Sequence, residues 1–548
     1  MNRKLTDRAD HLLSKEKGTI FKDPGGKIKI VLIYPNSYAV GMSSLGFQGI
    51  YGLLNSFDDV VCERVFLPVA EEIEEYERSG SELFSLESKR TLSRFDIIAF
   101  SISFENDYPN VIKILNMSRI PARASERNQT HPVVVMGGVC GFSNPEPLAE
   151  FMDIVFVGEA EEMVLDFLSA FRTSETKDEV FNKCLNIEGL YVPKYYFISY
   201  DQQTSLILRR EAVHDAPEII RKRSVGNISR QAFRPVIITP EAEFADMYLL
   251  EAMRGCPWSC RFCLAGHLYN PPRRKDLEVV KDEIRYAKEK THRVGLIGPS
   301  LTDYPYAEQV MSIDGVDFSI TSLRASERSG RIAALMRGHK SVSIAPEAGT
   351  QRLRDVINKK ITEEDILDTA KLILDGETET LRLYFMVGLP TESRQDVEGI
   401  VELVQKIRAF SRKGVIALSV STFVPKPFTP FQWHPMETIK EVKERLKIIK
   451  KGLFGERGVR VFHDVPKYAY LQGLFSRGDR RTSGLVEKLA SVKGYSSGAA
   501  ETGTASAFYI FRKRDLSEIL PWGFINAGVS KEKLWEEYQK AVVVDAST

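Results

Sequence analysis

Apolar positions follow two rhythms along the chain. In residues 28–172, runs rich in Val, Ile, Leu and Phe at 28–34, 60–67, 95–103, 132–138 and 153–158 are nearly continuous, which predicts strands buried on both faces. Between them, apolar residues recur every three or four positions near 47–54, 69–77, 108–117, 147–151 and 160–171, which predicts helices. Five strands each followed by a helix imply a parallel, doubly wound α/β sheet of Rossmann-like type. The rhythm breaks over 173–241, where Tyr- and Val-rich pieces at 189–197, 205–209 and 235–239 read as short strands in a linker. It resumes over 242–435 with strands at 247–253, 293–297, 317–322, 341–345, 381–388 and 416–423, separated by helical runs such as 277–290 and 395–410. Six such units predict a partial (β/α)6 TIM barrel, in which functional groups gather at the carboxyl ends of the strands. Residues 1–27 form a charged leader, and 436–548 form a smaller helical and mixed region that opens with a Lys-rich helix at 437–453.

Charge adds little at the level of the whole chain. Lysine and arginine number 75 and aspartate and glutamate 74, so a net charge of +1 gives no general attraction to nucleic acid or to an anionic membrane. No stretch approaches the roughly 20 uninterrupted apolar residues of a membrane span, and the first ten residues lack a signal-peptide core. A soluble, cytoplasmic protein is therefore expected. Six cysteines in 548 residues are too few for a disulfide scaffold.

Three of those cysteines change the picture. Cys256, Cys260 and Cys263 have the spacing C-x3-C-x2-C in the loop after the first barrel strand. Thiolates this close hold a metal or a cluster, because coordination favours the deprotonated form. The spacing alone leaves two occupants open. Three cysteines can hold a four-iron cluster with one iron left free, and His267 could complete a Cys3His zinc site.

The loop, with aromatic Phe262 before its third cysteine and a six-unit barrel behind it, resembles the radical S-adenosylmethionine (SAM) superfamily. The resemblance implies that Cys256, Cys260 and Cys263 bind three irons of a [4Fe-4S] cluster whose fourth iron chelates SAM. An electron from a low-potential donor such as flavodoxin or ferredoxin would then cleave SAM to a 5′-deoxyadenosyl radical. Phe262 would lie near the adenine. Residues 343–350 close the fourth strand, where relatives carry a polar SAM contact, which selects Glu347; the alternative is an ion pair with Arg352 or Arg354. Residues 383–392 close the fifth strand like the family's adenine-side motif, with Gly388 permitting close backbone approach. The frequent Gly-Gly-Glu motif after the second strand is absent, leaving Ser300, Thr302 or Asp303 as substitutes for its acidic contact. Arg324, ending the third strand, is either a fork donor to the SAM carboxylate or a lining ion pair.

The first sheet carries neither glycine-rich phosphate-binding motif after its first strand. Small residues end its other strands: Ser101 and Ser103, Gly137 and Gly138, then Gly158. They leave room for a bulky group along the carboxyl edge. With residues 144–147 and Gly158-Glu159, this arrangement resembles the cobalamin (B12)-binding domain that precedes the barrel in one radical SAM subgroup. The resemblance makes those five small residues the expected cobalamin contacts. No histidine occurs between His11 and His131, so none from the first-strand loop would ligate cobalt.

Chain order, residues 425–433 and tail elements at 476–481 and 520–522 make nearly the whole chain similar to uncharacterised cobalamin-type radical SAM proteins. The implied activity is reductive SAM cleavage with C-methylation of an unactivated carbon in an unidentified substrate, small or macromolecular. Radical rearrangement or cyclisation, methylthiolation, and a non-catalytic cluster and tetrapyrrole carrier are the alternatives. No catalytic residue for the substrate is assigned. Cys62, Cys140 and Cys184 are expected to be buried packing residues. His267 and His434 read as structural or cavity-lining, and the 477–481 basic run as a solvated face or an anion contact.

Overall fold

All five expected strands of the first sheet form: β1 (Ile28–Tyr34), β2 (Val60–Phe66), β3 (Ile97–Ser101), β4 (Val133–Gly137) and β5 (Ile154–Phe156). The computed structural model describes residues 2–230, 233–336, 340–376, 378–491 and 503–543. The strands run parallel in the order β2-β1-β3-β4-β5, and β6 (Leu190–Tyr191) adds antiparallel beside β5. The sheet therefore reaches past residue 172 into the segment expected to be a linker. Its order reverses between β1 and β3, which makes the crevice above those two strands the natural ligand position. All seven residues of β2 are buried, as the continuous run predicts. The charged leader is not peripheral. Its helix Arg3–Lys15 buries Leu5, Ala9 and Leu12, and Glu16 just after it pairs with fully buried Arg64 of β2 at 2.7 Å.

The second unit has seven parallel strands. Strands β7 (Met247–Glu251), β8 (Arg293–Ile297) and β9 (Asp317–Ile320) form one sheet. Strands β10 (Ser341–Glu347), β11 (Thr380–Val387), β12 (Val415–Thr422) and β13 (Val459–His463) form another. Among the described residues a single bridge, Leu323 to Ile344, joins the two into an open barrel. Strand β13 lies beyond the expected 242–435 region. Along β11, Leu381, Leu383, Phe385 and Val387 are buried against the outer helices, while Arg382, Tyr384 and Met386 alternate with them and are half-buried on the lumen side.

Two hydrophobic cores result. One lies between the barrel strands and their helices. The other joins the first sheet to Trp433, Phe475, Trp522 and Tyr538, so the carboxyl-terminal region completes the sheet's core rather than folding apart. Arg477 and Arg480 of the 477–481 run serve that joint, so this part of the run is not a solvated face, while Arg481 remains exposed. Arg477 is fully buried and donates to the main-chain carbonyls of His434 and Arg512. Arg480 pairs with buried Glu146 and donates to the Tyr191 hydroxyl at 2.6 Å, and Arg481 stacks over Tyr200. No helix among the described residues is long and apolar enough to cross a membrane.

Candidate active site

The cysteine loop leaves β7 through a short antiparallel ladder that pairs Met253–Arg254 with Arg273–Arg274. Gly255 has φ +79°, and a Cβ there would come within 2.4 Å of the Tyr269 carbonyl oxygen, so the turn into Cys256 requires glycine. The loop folds back on itself, with the Cys256 amide donating to the Ala265 carbonyl at 3.1 Å. Cys260 is buried and Cys256 and Cys263 are half-buried. The Trp258 amide faces the Cys256 sulfur, the Ala265 and Gly266 amides face Cys263, and the Arg324 guanidinium faces Cys260. Burial pushes all three thiols up, Cys263 to about 11, so a metal must displace their protons. The donors already aimed at the sulfurs would then compensate thiolate charge.

Among the described residues, no three His, Cys, Asp or Glu side chains converge tightly enough to hold a single ion. Tetrahedral zinc, about 2.3 Å from each sulfur, would need the sulfurs within roughly 4 Å of one another. A four-iron cluster places each thiolate on a different iron and so accepts sulfurs set farther apart than one ion does. His267 is buried with its Nε2 at 3.2 Å from the Cys260 carbonyl oxygen, a structural hydrogen bond rather than a fourth ligand. The donor set fits the cluster better than a Cys3His ion.

Around the barrel mouth, Ser300 and Trp258 Nε1 both donate to Asp303 Oδ2, at 2.6 and 2.7 Å. Of the three candidates after β8, Asp303 is thus the carboxylate anchored against the cysteine loop, with Ser300 as its support. Arg324 is not a lining ion pair. Its guanidinium lies 3.9 Å from the Trp258 ring centroid and donates to the carbonyls of Lys359 and Lys360. Glu347 sits at a bulge between β10 and β11 with φ +68°, an unusual conformation for a side chain of this size. Its carboxylate pairs with Lys359 at 3.0 Å, whereas Arg352 pairs with Asp396 and Arg354 donates to the carbonyls of Ala348 and Gly349. The expected alternative partners of Glu347 are therefore corrected to Lys359. Gly388 has φ +82° and donates its amide to Glu392 at 2.7 Å, and burial pushes the Glu392 carboxyl up to about 8.

Two cavities flank the loop. The first, about 530 Å³, is walled by Ser101, Ser103, Gly138 and Gly158 of the sheet's carboxyl edge. Facing them are Gly255 and Ala265 of the loop and Gly298 and Thr321 of the barrel. Gly137 is not in this wall. It lines a narrow apolar slot of about 90 Å³, bordered by Val164 and Leu168 of helix Ala160–Arg172, and Ser101 and Gly138 border slot and cavity alike. Room is not the sole reason for glycine here. A Cβ on Gly138 (φ +94°) would lie 2.4 Å from the Ile102 carbonyl oxygen, and one on Gly158 (φ +130°) 2.2 Å from that of Arg223. The second cavity, about 580 Å³, takes Phe262 and Leu264 of the same loop together with Phe104, Val424 and Tyr468. No histidine lines either cavity or the slot among the described residues.

A buried ionic lattice, which sequence reasoning missed, fixes the loop to the sheet. Arg254 grips Glu251 with two bonds of 2.8 Å, and its Nη1 lies 3.0 Å from Glu159 and 2.7 Å from Glu161. Arg273 holds Glu159 with two further bonds of 2.7 Å. Across the same joint, Phe142 meets Tyr269 edge-on at 5.5 Å. The position of Arg254, two residues before the first cluster cysteine, was the available signal; Lys359 and Glu392 offered none. Cys62, Cys140 and Cys184 are buried on three separate elements, as expected for packing residues. His434 is half-buried with its Nδ1 3.1 Å from the Tyr538 hydroxyl, and desolvation pushes its imidazole down to about 4, a structural role.

Comparison with known proteins agrees with this geometry. A family model described as "Radical SAM proteins, N-terminal" matches residues 46–193, and one for the radical SAM superfamily matches 250–404, which includes the cysteine loop. An uncharacterised protein of Methanocaldococcus jannaschii is 32% identical over 463 residues, 83% of this chain and 89% of that one. A tRNA-2-methylthio-N(6)-dimethylallyladenosine synthase of Anaplasma phagocytophilum is 22% identical over 276 residues, 45% of this chain and 61% of its own length. The solved structure of the cobalamin-dependent radical enzyme OxsB, with aqua-cobalamin and SAM bound, is similar over 95% of this chain and 80% of that one, at 13% identity and a TM-score of 0.48. With the relative from Methanocaldococcus aligned over most of both chains and the superfamily match lying on the three cysteines, this chain belongs to the radical SAM superfamily, whose cofactors are a [4Fe-4S] cluster and S-adenosylmethionine.

Proposed function

We propose that the chain is a cobalamin-dependent radical SAM enzyme that C-methylates an unactivated carbon. Cys256, Cys260 and Cys263 would hold the cluster, with Asp303, Arg324 and Glu347 around the SAM site and Gly388 near its adenine. Ser101, Ser103, Gly138 and Gly158 would border the cobalamin, and Gly137 the apolar slot beneath it. Bound there, cluster and SAM supply a 5′-deoxyadenosyl radical that takes a hydrogen atom from carbon, and cobalamin supplies a methyl group. The observation that carries the reading is the cavity of about 530 Å³ walled by the sheet's carboxyl edge on one side and the cysteine loop on the other. Two cofactor sites facing across one chamber are what methyl transfer to a carbon radical needs.

The chain's own residues supply placement. The Arg254 lattice keeps the loop at a fixed distance from the sheet, and Trp258, Asp303 and Ser300 tie the loop to the β8 end. Lys359 and Arg324 bring positive charge beside Cys260, opposite in sign to a thiolate-ligated cluster. Phe142 and Tyr269 close one wall with apolar surface, which keeps water from a reactive radical.

The test is anaerobic reconstitution with iron, sulfide and cobalamin, followed by SAM and dithionite. Formation of 5′-deoxyadenosine with S-adenosylhomocysteine in the presence of substrate-containing extract supports methylation. 5′-Deoxyadenosine without any S-adenosylhomocysteine overturns methylation in favour of rearrangement or cyclisation. Methylthiolation would require a second cluster, and the separation and burial of Cys62, Cys140 and Cys184 weigh against it. Iron near four per chain rather than eight would dismiss it.

A further inference from the structure

The segment from Lys440 to Lys467 carries nine Lys and Arg against four Asp and Glu, in a chain whose total charge is +1. Helix Ile439–Gly452 buries Val442, Leu446 and Ile449 in the barrel's outer core. It exposes Lys440, Lys443, Lys447 and Lys451, spaced three and four residues apart along one stripe. Like charges at this spacing repel, and the two interleaved acids, Glu441 and Glu444, offset only part of the six Lys and Arg of the helix. The helix dipole accounts for Lys450 and Lys451 in the last turn but opposes Lys440 in the first.

Apolar side chains stand in solvent beside the stripe: Phe454 is 92% exposed, Phe462 51%, Val465 47% and Tyr468 38%. Phe462 belongs to β13, the outer strand of its sheet. Val465 and Tyr468 also wall the cavity of about 580 Å³ whose far side is Phe262 and Leu264, the two neighbours of Cys263. A cationic surface studded with aromatic and aliphatic groups therefore leads to the cysteine loop. Exposed apolar groups ringed by charge mark a protein-binding surface.

We propose that this face docks an acidic one-electron carrier protein, seated over Lys443, Lys447 and Lys451 with its redox group at the mouth of the Tyr468 cavity. The proposal rests on the cluster reading above, because a resident cluster must receive an electron from outside for each SAM cleaved. In the transfer the carrier is oxidised by one electron and the cluster reduced by one; no atom or proton crosses the interface. The charge stripe steers approach, and the apolar rim fixes the bound pose.

Flavodoxin hydroquinone serves as the acidic protein donor and dithionite as the small one, both acting on the reconstituted full chain. Cluster reduction is followed by its loss of visible absorbance. Wild type should show a flavodoxin rate that falls steeply with added salt. The K443E/K447E/K451E variant should slow flavodoxin reduction by about tenfold or more at low salt while leaving the dithionite rate unchanged. K443Q/K447Q/K451Q should fall between. A flavodoxin rate indifferent to these charges overturns the docking proposal alone, as does retention of RNA by wild type that the charge reversal abolishes with the flavodoxin rate unaltered. A chain that forms no dithionite-reducible cluster overturns both this proposal and the reading on which it rests.

Discussion

Replacing Arg254 with alanine tests whether the ionic lattice fixes the cysteine loop. The side chain makes four close contacts to carboxylates, and its loss falls unevenly on them. Glu159 keeps its two bonds to Arg273, and Glu251, with 13% side-chain exposure, can turn toward water. Glu161 has neither recourse. Its side chain is 3% exposed, and the Arg254 guanidinium 2.7 Å away is its main compensation. Breaking a buried pair by removing one partner costs about 3–5 kcal/mol, mostly through the stranded charge. If that is the origin, adding Glu161→Gln to Arg254→Ala should restore about 1–3 kcal/mol, a coupling typical of residues in direct contact.

Burial raises the Glu161 carboxyl above its ordinary 4.5 even with Arg254 present, and deletion raises it further. A raised carboxyl destabilises the fold as pH climbs from the unfolded value through the folded one, so Arg254→Ala should be rescued toward pH 5 and fail toward pH 8. The assay is urea unfolding followed by tryptophan fluorescence, read as the first cooperative transition because a chain of this length need not unfold in one step. Iron content after reconstitution should fall in parallel. A single variant within about 1 kcal/mol of wild type, or a double variant no more stable than the single, would refute the reasoning.

Glu392, pushed up to about 8 by burial, should make the wild-type fold less stable as pH rises from about 4.5 to 8, and Glu392→Gln should flatten that dependence in a thermal-melt series. Gly138→Ala and Gly158→Ala would each drive a Cβ into a main-chain oxygen, at 2.4 and 2.2 Å, and should cost on the order of 1–3 kcal/mol while weakening cobalamin uptake, read by spectrophotometric titration. Because no histidine lines the first cavity or its slot among the described residues, labelling the protein's histidines with 15N should leave any nitrogen splitting in the electron paramagnetic resonance spectrum of bound cob(II)alamin unchanged. A splitting that changes on histidine labelling would contradict the site as described.

What the sequence disclosed was whatever it encodes locally. Strands β1 to β5 were legible because burial on both faces writes a continuous apolar run. The cysteine triangle was legible because its ligands sit within eight residues. Strand β13 was not, since Val-Arg-Val-Phe-His is half-exposed and carries too few apolar positions to stand out. Arg477 misled for a related reason: a buried guanidinium satisfied by main-chain carbonyls looks, in sequence, like a solvated one. Glu347 was found at the right strand end with the wrong partner, because Lys359 comes from a loop whose path no local pattern fixes. Gly138 and Gly158 were noticed as small, but the oxygen atoms that exclude a side chain there come from other segments.

The Arg261 guanidinium in the cysteine loop donates to Glu537 at 2.9 Å, and helix Lys531–Val543 lies in the same core as Leu5. During synthesis this helix emerges about 270 residues after the loop, a delay of roughly 15–50 s at ~5–20 residues per second. Until then the Arg261 guanidinium lacks its carboxylate partner and the core shared with the first sheet lacks its last helix. A cluster loaded in that interval would meet a cysteine loop not yet tied to the carboxyl-terminal end of the chain.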